Sequence, residues 1–268
     1  MKPWEIFVCI KPVPDPRYWH ALRLDENTKT LRREGIPSII NPLDKNALEE
    51  ALRLKEGRGG KVTVISMAPP SAKSLLHEAL AMGGDEGILI SDPALAGGDT
   101  LATARTLASA IRKKGDWDLI ICGQESLDGS TAQVGPQLAA LLKIPFVGRV
   151  EKVELMEGGE YLHVMSRTER GRFLIRARIP VLLCVLKEIN TPRYTTFTGI
   201  LEAEKKEIYT WDREALGLKL DEVGLKGSPT QMADWVIPQM KRKVERLKGE
   251  PEWLAERIME RLYRFGIL

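Results

Sequence analysis

Leu119-Ile120-Ile121-Cys122-Gly123-Gln124-Glu125-Ser126-Leu127-Asp128-Gly129-Ser130-Thr131-Ala132-Gln133-Val134-Gly135-Pro136 changes character twice. Leu119 to Cys122 is apolar without alternation, the pattern of a strand buried on both faces of a parallel sheet. From Gly123 to Gly135 the chain is polar and glycine-rich, and helical spacing resumes with Gln137-Leu138-Ala139-Ala140-Leu141-Leu142. Strand, polar turn and helix in that order leave backbone N–H groups beside a helix start, where the partial positive charge suits a phosphate. Two readings compete: Ser130 or Thr131 caps the helix, or a nucleotide lies over the loop. A cap needs one hydroxyl rather than a long polar segment, and Pro136 places the first regular turns close to itself. The nucleotide reading is therefore preferred, although neither a Walker loop nor G-x-G-x-x-G is present.

Upstream, strands and helices alternate. Glu5 to Ile10 reads as a first strand, stopped by Lys11-Pro12-Val13-Pro14-Asp15-Pro16. That proline loop sits at a strand's carboxyl end, where open α/β sheets hold ligands. Residues 21 to 40 suggest a hairpin-like excursion. Asn41 or Asp44 starts a helix whose apolar stripe is Ala47, Leu48, Ala51, Leu52 and Leu54, set against polar Lys45, Glu49, Glu50, Arg53 and Lys55. A strand ending at Met67, helices at about 72–82 and 100–113, and a strand at 87–91 complete the series. This order predicts an α/β fold, a Rossmann-like parallel sheet with helices on both faces.

After Pro145 the pattern changes to paired strands. Val150 to Met156 and Tyr161 to Arg167 flank Glu157-Gly158-Gly159-Glu160, a hairpin turn, and strands at 173–178 and 181–186 follow. Arg167, Arg170, Arg172, Arg176 and Arg178 read as a solvated face or protein interface. Residues 187–206 read as a loop and a short helix. Two charged amphipathic helices, at about 232–247 and 252–265, form a C-terminal arm with little core of its own. The expected division is an α/β nucleotide-binding domain over 1–206 and an extension over 207–268.

Composition narrows the function. Forty basic and thirty-seven acidic residues among 268 leave a formal charge of +3, too balanced for a nucleic-acid binder. Cys9, Cys122 and Cys184 each lie within an apolar run and lack metal-ligand or disulfide spacing. No signal peptide opens the chain, and no apolar run approaches the roughly 18 residues of a membrane span; a reducing, cytoplasmic location is expected, with membrane contact only through a partner. His20, His77 and His163 lie in unrelated contexts, and no nucleophile or paired-carboxylate motif stands out. A nucleotide loop without catalytic groups fits a protein that holds a cofactor and leaves the chemistry to it.

Several motifs together resemble the β subunit of electron transfer flavoprotein. They are Asn41-Pro42-x-Asp44 with Glu49-Glu50-Ala51-Leu52-Arg53-Leu54-Lys55, Ala79-Leu80-Ala81-Met82-Gly83, the loop Gly123 to Gly135, and Pro192-Arg193-Tyr194. The resemblance spans about residues 4–206. It implies a subunit paired with an α subunit that carries FAD, and a dehydrogenase or quinone-linked oxidoreductase as a further partner.

By that resemblance the nucleotide contacts fall on Cys9, on Asn41, Pro42, Leu43 and Asp44, on Met67, and on Gly123, Gln124, Glu125, Ser126, Leu127, Asp128, Gly129, Ser130, Thr131, Ala132, Gln133 and Val134. All lie at strand ends in the reading above. In simple family members the ligand is AMP; in electron-bifurcating members it is a second flavin, which takes an electron pair from NADH and sends it along two routes. Val13-Pro14-Asp15 and the loop from Asp128 to Pro136 resemble the bifurcating group, so FAD is preferred over AMP. The segment around Tyr194 and Phe197 resembles the family's partner-docking loop, with Phe197 as apolar anchor. Glu202 and Glu204 stand where the family has lysines. The alternatives are a non-bifurcating, AMP-binding β subunit and a universal-stress-type nucleotide-binding module.

Overall fold

The structure, a computed structural model, describes all residues except 1, 22, 25–30, 33–34, 157 and 232–243. It comprises two compact units, Met1–Met232 and Ala233–Leu268.

In the first unit, β1 (Trp4–Cys9) is followed by four short strands, β2 (Pro12–Pro14), β3 (Arg23–Leu24), β4 (Leu31–Arg32) and β5 (Ser38–Ile40). Then come α1 (Pro42–Arg58), β6 (Gly60–Met67), α2 (Lys73–Met82), β7 (Glu86–Ile90), α3 (Thr100–Lys114), β8 (Leu119–Gly123) and α4 (Val134–Leu142). The paired strands are β9 (Phe146–Leu155), β10 (Tyr161–Thr168) and β11 (Gly171–Arg178), after which β12 (Val181–Val185), α5 (Phe197–Ala203) and β13 (Ile208–Trp211) complete the unit.

Nine strands form one sheet in the order β11-β10-β9-β12-β8-β1-β6-β7-β13. From β9 to β13 every neighbouring pair is parallel; β10 pairs antiparallel with both β9 and β11. Period-two alternation splits the core into two layers. Ile6, Val8, Val64, Ile121 and Leu183 pack on one face with Leu48, Ala51, Leu52 and Leu76 of α1 and α2. Phe7, Cys9, Ile65, Ile120, Cys122 and Leu182 pack on the other with Ala104, Leu107, Leu138 and Ala139 of α3 and α4. This is the predicted α/β architecture. No described helix is long and apolar enough to cross a membrane.

Two details add to the sequence reading. Within the proline loop, Pro12–Pro14 pairs antiparallel with Ser38–Ile40, which proline tolerates at a strand edge. Ile208–Trp211 pairs parallel with β7 as the edge of the main sheet, so the segment expected to open a separate arm at 207 begins inside that sheet. In the second unit the described helix is α6 (Pro251–Arg264). Residues 232–243, where another helix was expected to start, lie outside the described residues.

Candidate functional site

The chain runs outward from β1 through β6 to β7 and then returns to place β8 on the other side of β1. The crevice at the carboxyl ends of β1 and β8 is therefore the switch point of the sheet, where open α/β folds bind ligands. Lys11 and Gly123 stand at those two ends, and the start of α1 clasps them. Asp44 accepts the Lys11 amide on Oδ2 at 2.8 Å and the Gly123 amide on Oδ1 at 3.1 Å. Asn41 donates to the Glu125 carbonyl at 2.9 Å and accepts from the Leu127 amide at 3.1 Å. Neither side chain caps its own helix. Both are buried. Burial pushes the Asp44 carboxyl up to about 7, against the hydrogen bonds that favour its charged form. A Cβ at Gly123 would collide with Asp44 Oδ1 and lie 2.8 Å from the Leu43 carbonyl carbon, so only glycine allows this approach.

Beyond the clasp, the Ser130 amide donates to the Ser126 carbonyl at 2.8 Å. Ser130 and Ala132 take φ values of +46° and +54°, left-handed conformations that cost free energy in non-glycine residues and persist where the surroundings impose them. Helix α4 begins at Val134 with Gln133 at its N-cap and no side-chain cap. The capping role considered for Ser130 or Thr131 is thus not adopted; Ser130 Oγ bonds back to the Ser126 carbonyl at 3.3 Å. Among the described residues no protein acceptor takes the amides of Thr131, Ala132 and Gln133. Successive N–H groups around left-handed residues, ahead of a helix N-terminus, make a concavity suited to an anion.

The expected site residues divide into two groups. Cys9 is buried at the end of β1, Met67 is half-buried at the end of β6, Pro42 is exposed and Leu43 half-buried. Gln124 accepts the Arg149 amide on Oε1 at 2.6 Å. Glu125, Leu127, Gly129, Ser130, Thr131 and Gln133 are exposed, with Ser126, Asp128, Ala132 and Val134 half-buried. Asn41 and Asp44, expected at the nucleotide, bond through their side chains to the loop and to Lys11. The sequence reading missed Lys11, whose amino group reaches Asp128 Oδ1 at 2.6 Å and Ser126 Oγ at 3.2 Å. Its place directly after the first strand was the available signal.

A second cluster lies farther along α1. Arg193 donates from Nε to Glu49 Oε2 at 2.8 Å and from its own amide at 3.0 Å, and reaches Glu56 at 2.6 Å. Asn190 donates to Glu50 Oε2 and to the Asn46 carbonyl, both at 3.0 Å. Glu49 and Glu50 are buried, not on the solvated face the stripe predicted, because the loop 187–193 folds over them. Burial alone would push Glu49 up, but the Arg193 guanidinium and amide hold it below the usual carboxylate range; Glu50, with weaker partners, is pushed up by burial. The loop so fixed presents Tyr194 and Phe197, 94% and 77% exposed. Beside them a cavity of about 400 Å³ between α2 and α5 is lined by His77, Glu78, Thr195, Ile200 and Glu204.

A family model described as the electron transfer flavoprotein domain matches residues 28–216. The electron transfer flavoprotein subunit beta of Thermoanaerobacterium thermosaccharolyticum is 48% identical over 258 residues, covering 96% of this chain and 97% of its own. The caffeyl-CoA reductase-Etf complex subunit CarD of Acetobacterium woodii is 43% identical, covering 91% and 92%. The acryloyl-CoA reductase electron transfer subunit gamma of Anaerotignum propionicum is 39% identical, covering 98% and 99%. The resemblance carried by those several motifs is therefore shown: the chain belongs to the electron transfer flavoproteins, among their β subunits.

Proposed function

We propose that the chain pairs with an α subunit and binds FAD over the loop 123–134. In this reading it passes electrons between NADH or a dehydrogenase and downstream acceptors by flavin-based bifurcation. The observation that carries the reading is the run of amides at Thr131, Ala132 and Gln133, left without protein acceptors at the switch point and ahead of α4. Those groups fit a pyrophosphate: they are donors, they are preorganised, and the nearby Gly129 is exposed. FAD, when bound, supplies the redox chemistry. The chain's part is to bind and orient it: the amides hold the phosphates, and Asn41 and Asp44 fix the loop that carries them.

Tyr194 and Phe197 are the proposed contact with a dehydrogenase. Large, exposed aromatic side chains on a segment pinned by the half-buried Arg193–Glu49 ion pair suit an interface anchor, since little ordering entropy remains to be lost on docking. Relatives named for reductases of CoA derivatives support a partner of that class.

The test is the nucleotide content of the complex co-purified with its α subunit, released and identified by chromatography. Two FAD per heterodimer are expected. One FAD with AMP would overturn the flavin assignment and leave a structural nucleotide in the same loop.

A further inference from the structure

The three cysteines of the chain are free thiols placed side by side. In the sheet register Cys9 stands opposite Cys122, and Cys122 opposite Cys184, on three neighbouring parallel strands. All three belong to the core layer on the α3 and α4 face, and a Cβ added to Gly135 of α4 would collide with the Cys184 sulfur. Neighbouring strands lie about 4.8 Å apart. Each adjacent pair therefore falls inside the Cα separation of roughly 4.4 to 6.8 Å that a disulfide requires, whereas the outer pair, at about twice the strand spacing, does not.

Reactivity is not shared equally along the row. All three are buried; Cys9 and Cys122, 9% and 7% exposed at the strand ends, lie nearer the surface than Cys184 at 1%. Hydrogen bonding to Cys122, together with burial, pushes Cys9 and Cys184 up. Cys122 is the middle of the row, the one thiol with a neighbour on each side, and the bonds from Cys184 and Cys9 hold it below its usual range.

We propose that this row is a redox modification site at which a peroxide closes one reversible disulfide, with Cys122 as its obligate member. The Cys122 thiolate attacks one oxygen of hydrogen peroxide; the O–O bond breaks, hydroxide leaves and takes up a proton, and Cys122 becomes a sulfenic acid. The Cys9 or Cys184 thiol then attacks the Cys122 sulfur, forming the S–S bond and expelling water. Two thiols are oxidised by two electrons and one peroxide is reduced to two waters. The third thiol stays reduced and can exchange with the new bond. The inference goes beyond the proposed function.

The three cysteines fall in separate tryptic peptides, so mass spectrometry of the full-length chain, purified with its α subunit and treated with hydrogen peroxide, reads the linkage directly. Wild type is expected to yield Cys9–Cys122 or Cys122–Cys184 peptides that dithiothreitol separates. Cys9→Ser and Cys184→Ser should each keep the one remaining linkage, and Cys122→Ser should lose all linkage. A Cys9–Cys184 peptide, or wild type with no intrachain linkage at peroxide levels that oxidise glutathione, would overturn the proposal. The wild-type measurement decides even if a variant fails to fold.

Discussion

Asp44 Oδ1 accepts the Gly123 amide at 3.1 Å across 79 residues of chain, while its other oxygen holds the Lys11 amide at 2.8 Å. One buried carboxyl thus joins the ends of β1 and β8 and sets where the loop 123–134 begins. Asp44→Ala leaves two buried amides without an acceptor, at a cost of about 1–3 kcal/mol each. Denaturant unfolding should register that loss together with a fall in bound nucleotide.

The same carboxyl predicts a pH dependence. Its folded value is pushed up to about 7, against about 3.9 in an unfolded chain. Below about pH 4 both states are protonated. Between the two values the folded state keeps a proton that the unfolded state has released, so stability falls as pH rises, by on the order of 4 kcal/mol at most, and levels off above the folded value. Unfolding measured from pH 5 to 8 should show this slope in wild type and a flatter one in Asp44→Asn. Equal slopes would contradict the assignment.

Arg193 pins the loop 187–193, the proposed docking segment, to Glu49. Arg193→Ala should destabilise by about 1–3 kcal/mol, less than a fully buried pair because the arginine is partly solvated. Hydrogen exchange across 190–196 should accelerate while nucleotide content stays unchanged. Glu49 titrates below its ordinary value in the folded state. Its contribution is therefore present at neutral pH and lost as the medium is acidified below about pH 4. Unaltered exchange in the variant would show that the loop is held by other contacts.

Phe197→Ala and Tyr194→Ala remove exposed rings that support little of the fold. Stability should change by no more than about 0.5 kcal/mol, while electron transfer from the partner dehydrogenase should slow about tenfold or more if these are interface anchors. Stopped-flow reduction by the dehydrogenase, with thermal unfolding as control, separates the two effects.

Much of the architecture was legible because helical and strand periodicities were strong and cleanly alternated through residue 142. The loop 123–134 stood out because apolar strand and amphipathic helix bound it closely. The roles of Asn41 and Asp44 were not legible, since their partners are backbone amides and carbonyls, which carry no side-chain signature. Glu49 and Glu50 read as solvated because the loop that buries them lies some 140 residues later. The alignment of Cys9, Cys122 and Cys184 depends on the register of three strands, which no single segment encodes. Ile208–Trp211 was too short to announce a strand; pairing with β7 makes it one.

The central claim is that a nucleotide lies over the amides that follow Gly129, and Gly129→Val tests it most directly. A Cβ there meets Ser126 Oγ at 3.2 Å, a hydroxyl that can swing aside, so the subunit should fold. The nucleotide released per folded heterodimer is to be measured for wild type and variant side by side. The account predicts a native circular dichroism spectrum with the β-site nucleotide lost. A native spectrum with full wild-type nucleotide content would contradict it.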